Sequence, residues 1–345
     1  MNNITSSLHQ TILVLRKTKF VILAGIVLVL LILVIIQQQS RQTLTQPQPT
    51  TPPPSPNLPT PPPDRDLKIV WNITQPSLPQ SLPYYQSNPV TFNTQYTDNF
   101  VSYLGFAPNH LLSTNPHTRL WVNDQLSLNI NLPYGPLTFI NSSLPDSTQP
   151  PSLDFLLQSA TQHLNNIFPA LQINPDLKNI KYLATDPNTT AFKETASDQA
   201  EYTLIGFYQT IESLPTIAPS STTTPITIVL NNYGQIQQLE VISIINQHQK
   251  ISGNISLLSF EELMQIAPQQ AIKISSDKID TETNLTKDKD QTLTVNQLDL
   301  VYLSISNDDI LQPVFRLTGT LSTSTTSFPA VFIVPAFANS TNPQN

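Results

Sequence analysis

The chain has 345 residues, a formal charge of −7, no cysteine, seven glycines and 32 prolines. Without cysteine there is no disulfide framework, thiolate nucleophile or cysteine-held metal, and so few glycines leave neither a P-loop nor a dinucleotide fingerprint. From Leu67 to Asn345 there are 21 acidic against 11 basic side chains, net −10, a balance that disfavours nucleic acid as a partner.

Phe20–Ile36 is an unbroken run of 17 apolar residues, entered from Arg16, Lys17 and Lys19. At about 1.5 Å per residue such a helix is at the short end of what spans a hydrocarbon core roughly 30 Å thick. The basic flank puts residues 1–19 in the cytoplasm and the rest outside. Gln37 to Arg41 offer no small-residue cleavage site, so 20–36 is expected to be an uncleaved, single-pass signal anchor in the cell membrane. Residues 37–66 follow, with ten prolines among the 17 residues from Pro47 to Pro63. Polyproline II at about 3.1 Å per residue makes this a disordered stalk on the order of 50–90 Å long.

Beyond Leu67 the chain can bury a core of its own. A small, mostly β unit is expected over 67–145. It holds the short strand Leu67–Asn72, a helix from Asp98 to Leu104, and a hairpin. Leu120, Val122, Leu126, Leu128, Ile130 and Leu132 are spaced by twos on either side of Asn123-Asp124, and Leu137–Ile140 gives a further strand. Ser142–Pro151 is a break in composition, and a larger unit is expected over 150–338. Leu153, Leu156, Leu157, Ala160, Leu164, Ile167 and Phe168 give a helix with one apolar stripe that Pro169 ends. Asn174-Pro175 reads as the cap and first turn of a second helix, through Leu183. Tyr202–Ile211 is extended, and Ile226–Leu230 and Ile236–Ile245 flank a reversing turn at Asn231-Asn232-Tyr233-Gly234. Ser259-Phe260-Glu261-Glu262 is a capping box opening a helix that stops near Pro268. A charged loop, Asp277–Asp290, leads to strands at Leu293–Ile305, Leu311–Leu321 and Ala330–Phe337, with a disordered tail over 339–345. The order lacks regular β-α-β alternation, so the fold class expected is α+β, mainly antiparallel sheet with a few packed helices.

The order helix, hairpin with an N-x-x-G turn, capped helix and long strand, then Leu311-Gln312-Pro313-Val314-Phe315-Arg316-Leu317-Thr318-Gly319, resembles bacterial extracytoplasmic proteins of the PepSY-like and YycH/YycI kind. In those relatives a strand of the type vYY is followed by LQPvyvFeG on its partner. Here the first part is Leu300-Val301-Tyr302-Leu303, with Leu303 where a second aromatic stands and Thr318 where the acidic residue stands. The resemblance covers Ser152 to Phe337, and about twenty residues of it are specific. It implies an anchored ectodomain that regulates or binds a partner, such as a sensor kinase or an envelope peptidase, with no catalysis of its own. Pro313 lacks a donor and so belongs at a sheet edge or bulge, and Gly319 relaxes the strand near its end. The contact edge expected from these residues is Leu311, Gln312, Pro313, Val314, Phe315 and Gly319, with fold maintenance as the other role of the motif.

Local chemistry is sparse. His110 and His117 lie seven apart without an acidic partner in ligand spacing, and there is no H-E-x-x-H, G-x-S-x-G or S-x-x-K set. The Asp277–Asp290 cluster lacks the glycine of a calcium loop and has lysines at alternate positions. No cofactor, metal or catalytic residue is expected. The function expected is a membrane-anchored extracytoplasmic bacterial protein acting by protein contact, and the alternative is a structural or adhesive envelope protein on a wall-spanning stalk.

Overall fold

The computed structural model describes residues 67–337 apart from 93, 144–148, 170, 187–190, 221–222, 252–253, 277–290 and 305–309. The expected tail, anchor and stalk over 1–66, the charged loop 277–290 and the tail 339–345 lie outside the described residues. These are mostly sheet, with three α-helices, which is the α+β class.

The described residues begin with β1 (Leu67–Trp71), β2 (Ser81–Leu82) and β3 (Tyr85–Pro89), then α1 (Thr94–Tyr103). α1 starts a turn earlier than its apolar residues suggest. Four strands follow: β4 (Leu111–Asn115), β5 (Thr118–Asn123), β6 (Leu126–Asn131) and β7 (Leu137–Asn141). The β5–β6 hairpin forms around Asp124-Gln125, with Asn123 opposite Leu126 and Asp124 at φ 43°.

α2 (Leu153–Ile167) begins where Ser152 Oγ accepts the Phe155 N–H at 3.3 Å. Leu156, Ala160, Leu164 and Ile167 form its buried face, each leucine contributing roughly 1.5–3 kcal/mol by burial. After it come β8 (Asn174–Pro175), β9 (Lys181–Thr185), β10 (Phe192–Glu194) and β11 (Tyr202–Tyr208). The helix expected from Asn174 to Leu183 is therefore absent. Pro175 pairs with Phe207, and the Asp176 carboxylate accepts from Lys178 N at 3.2 Å and Asn179 Nδ2 at 2.7 Å, closing a turn instead of a cap. Leu177 is left exposed in this turn.

Next are β12 (Thr210–Ile211), β13 (Leu214–Ile217), β14 (Ile226–Asn231), β15 (Ile236–Val241), β16 (Ile245–Lys250) and β17 (Ile255–Ser256). The β14–β15 turn carries Gly234 at φ 75°, the positive value that glycine takes without strain. In α3 (Phe260–Gln270) the capping box forms as expected: Ser259 Oγ accepts from Glu262 N at 3.2 Å, and Glu262 Oε2 accepts from Ser259 N at 2.7 Å. That backbone hydrogen bond holds the Glu262 carboxyl below its usual range. The helix does not stop at Pro268, which sits inside it. So near the C-terminus only one intrahelical bond is forgone, and Ala271 N to Ala267 O closes the end at 2.9 Å. The last strands are β18 (Ile272–Ser276), β19 (Gln291–Leu303), β20 (Ile310–Ser322) and β21 (Ser327–Pro335).

Among the described residues the strands form two large sheets. One runs β10-β9-β11-β14-β15-β7-β6-β5-β4, with β8 on β11. Its inner face packs on α1 and α2 around Leu128, Ile130, Phe139, Leu164, Ile205 and Leu239. The other runs β12-β13-β19-β20-β21-β18, with β1, β3 and β16 attached, and packs on α3 around Leu263, Phe315, Leu317 and Phe332. Segment 67–145 supplies strands to both, because β1 runs parallel to β19 while β7 pairs with β15.

The runs Tyr202–Ile211 and Ile236–Ile245 each break where the chain changes sheets, at Gln209 and at Ile242–Ile244. The Gln209 side-chain amide joins the two breaks: its Nε2 donates to Ile245 O at 2.7 Å and its Oε1 accepts from Ile245 N at 2.8 Å. Tyr85 and Tyr302 pack edge-on beside this junction at 5.5 Å, with Ile211, Ile245 and Leu311. Burial, with the Glu212 carboxylate adding to it, pushes both phenols up.

Gln209→Ala leaves the Ile245 N–H and carbonyl without these partners in a half-buried place. It should cost about 1–3 kcal/mol in urea unfolding, with Gln209→Glu recovering only part because it keeps the acceptor alone. On β15, burial pushes the Glu240 carboxyl up, so the folded state holds its proton to higher pH than the unfolded chain does. Stability therefore falls as pH rises through that interval. Glu240→Gln should melt higher than the native chain at pH 7, and the gap should close below about pH 4, where both states are protonated.

A cleft between helix α1 and the β4–β5 hairpin

A cleft of about 640 Å³ opens at the β4 rim of the ten-stranded sheet. Asp98, Val101 and Ser102 are three and four apart on α1 and so share the face that forms one wall. Arg119 and Trp121 alternate by two on β5 and share the opposite face. Leu111 lies directly across from Trp121 on β4, while Phe106, Pro108, Asn115, Pro116 and Leu132 complete the lining.

The face was set by turn length. A two-residue turn pairs an odd-numbered residue with an even-numbered one, so Trp121 stands opposite Leu128 and Arg119 opposite Ile130. Leu128 and Ile130 are fully buried, and they carry Trp121 and Arg119 inward with them. Leu120 and Val122, apolar and regularly spaced, lie on the other face, where Val122 is exposed. Sequence spacing alone had pointed to the leucines and missed Arg119; the signal that finds it is the turn register.

The floor is apolar: Trp121 and Phe106 are buried, and Phe106 packs edge-on against Phe139 at 6.2 Å. Above it stand one guanidinium, one carboxylate, one hydroxyl and one amide. Among the described residues Arg119 has no carboxylate within 4 Å. The nearest comparison is Arg316, which donates from Nε at 3.1 Å and Nη2 at 2.7 Å to Asp299 across the β19–β20 pair. The Asn115 side chain accepts the His117 N–H at 2.7 Å and shapes the hairpin tip.

The α1 wall is pinned from behind. Tyr103 Oη and His163 Nδ1 are 2.7 Å apart, and His163 Nε2 lies 2.8 Å from Gly234 O. With the proton on Nε2 the ring donates to that carbonyl and accepts from the tyrosine, tying α1, α2 and the β14–β15 turn together. Asn166 Nδ2 donates to the same hydroxyl at 3.2 Å.

The residues expected to form a contact edge, Leu311, Gln312, Pro313, Val314, Phe315 and Gly319, lie away from this cleft on β20 and are all buried. Leu311 pairs with Tyr85 of β3, Gln312 and Pro313 pair with β19, and from Val314 onward β20 is flanked by β19 and β21. Pro313 is tolerated because pairing with β21 starts only at Val314. Gly319 faces a bulge in β19, where a Cβ would come within 2.0 Å of Thr294 O. Both residues serve the backbone. Among the described residues no group of three His, Asp or Glu side chains could hold a metal ion, and no helix is long and apolar enough to cross a membrane.

No protein-family model and no curated protein matches the chain. The structure is similar to the Bacillus megaterium YpeB C-terminal domain at 12% identity and a TM-score of 0.33, over 72% of this chain and 94% of that one.

His163→Ala removes two hydrogen bonds behind the cleft. It should speed amide exchange in α1 by roughly tenfold while leaving β20 unchanged, at a cost of about 1–3 kcal/mol.

Proposed function

We propose that this chain is a bacterial membrane protein whose α+β portion lies outside the cell and acts by contact with another envelope protein, such as a sensor kinase or an envelope enzyme. Phe20–Ile36 would anchor it with residues 1–19 in the cytoplasm, and the proline-rich 37–66 would hold the folded part away from the bilayer. The observation that carries the contact reading is the cleft: an open mouth over a buried aromatic floor, with Arg119 half-buried at its wall and, among the described residues, no carboxylate within 4 Å of it. A guanidinium kept in such a place favours a partner that brings a carboxylate and an apolar side chain together.

Photo-crosslinking from exposed positions of the full chain in native membranes tests the proposal, paired with protease shaving of intact cells. The expected result is cleavage of the folded part from outside and a crosslinked protein of defined size. Protection from external protease would overturn the topology. Recovery of lipid or wall glycan alone would instead favour a structural or adhesive role on a wall-spanning stalk.

A further inference from the structure

The rim strand beside the cleft is itself open. β4 ends the ten-stranded sheet and, among the described residues, pairs with β5 alone. A bulge between Leu111 and Ser113 turns Leu112 outward, where it is 70% exposed, and Ser113 and Asn115 are exposed as well. Bulges at sheet edges discourage indiscriminate pairing and re-aim side chains next to binding sites. Here the bulge leaves only Ser113–Asn115 as regular edge, directly over the mouth formed by Leu111, Asn115 and Arg119.

We propose that an extended segment of the partner protein adds to the β4 edge as a further strand, placing a large apolar side chain over Trp121 and an acidic one against Arg119. This rests on the contact reading above and gives its chemistry. In a strand, successive side chains alternate, so a residue two away from the apolar anchor enters the same cleft, and Arg119 stands two residues from Trp121. Main-chain bonds to β4 supply affinity, and the cleft supplies the choice of side chains. Asp98 on the facing wall repels a second acidic residue there, which limits the segment to one carboxylate on that side or a basic residue toward α1.

The probe is a displayed library of random linear peptides selected on the full chain in detergent micelles. The expected consensus is a large apolar residue two positions from Asp or Glu. Its binding should weaken at least tenfold in Arg119→Glu and in Leu112→Pro, which blocks strand addition at a bulge that tolerates proline. Bound peptide should slow amide exchange in β4, and both variants should keep the native melting temperature. If Arg119→Glu does not fold, Arg119→Gln replaces it, with peptides carrying Asn or Gln in place of the acid losing the same factor. Selected peptides that bind without protecting β4 or without regard to Arg119 would overturn the proposal, as would a dimer of this chain sealed through β4. A photo-crosslinker at Leu112 that captures nothing, while one at Tyr233 captures a protein in membranes, would sink the strand addition and leave the contact reading standing. Failure at both positions would sink both.

Discussion

Three passages of the chain between the two sheets lie side by side, and the Gln209 amide and one backbone bond hold them. β3 leads out of the nine-stranded sheet at Val90, whose N–H donates to Ile244 O at 2.9 Å. β11 leads in at Gln209, and β15 leads in at Ile242–Ile244. Each passage leaves backbone groups without a ladder, and a buried donor or acceptor left so costs as much as a lost bond. Gln209 meets this by presenting an amide side chain to the Ile245 main chain as a neighbouring strand would, while its own N–H donates to Thr216 Oγ1 at 3.1 Å. With that point fixed, Tyr85, Tyr302 and Leu311 can seal the space between the two cores, and β19 and β20 can continue past it as a single long hairpin.

Much of the element order was legible in residue patterns, because the signals were local. Ser152 and the Ser259/Glu262 pair act within one helical turn, and the Asn231–Gly234 turn and the α2 stripe need no distant partner. What failed depended on pairing across the chain. Asn174-Pro175 carries the composition of a helix start, yet the decisive fact is that β11 offers it a partner at Phe207. The strand from Leu311 to Gly319 reads as an edge because proline and glycine weaken a ladder. From Val314 onward it is flanked by β19 and β21, and it tolerates both residues because Pro313 falls before pairing with β21 begins and Gly319 faces a bulge in β19. Neither circumstance can be read from β20 alone. The same holds for the breaks at Gln209 and Ile244: alternation continues through both, while the partner strand changes.

The cleft was invisible for a further reason. A polar residue at an inward position of a strand ordinarily argues against that face being buried, so the regular leucines of β5 and β6 attract attention. Turn parity overrides them and sends Arg119 inward with Trp121. A guanidinium can occupy that position only at the rim, where α1 stands off from the sheet and leaves water access. Its methylene stem can lie along the apolar floor while its head stays solvated.

Arg316 shows what the fold does with an arginine it needs for itself. It lies directly across from Asp299, is joined to it by two bonds, and Gln297 donates to the same carboxylate at 2.8 and 3.1 Å. Every component lies on neighbouring strands, so the charge is answered as soon as the sheet forms. Arg119 has Thr114 and Ile130 as its cross-strand neighbours, neither of which carries charge. Half-buried at the rim, its guanidinium has no ion pair within 4 Å among the described residues to offset what hydration it gives up. The two arginines thus separate by surroundings: one completes the sheet, and the other lies at an open cleft beside β4, the strand that ends the ten-stranded sheet among the described residues.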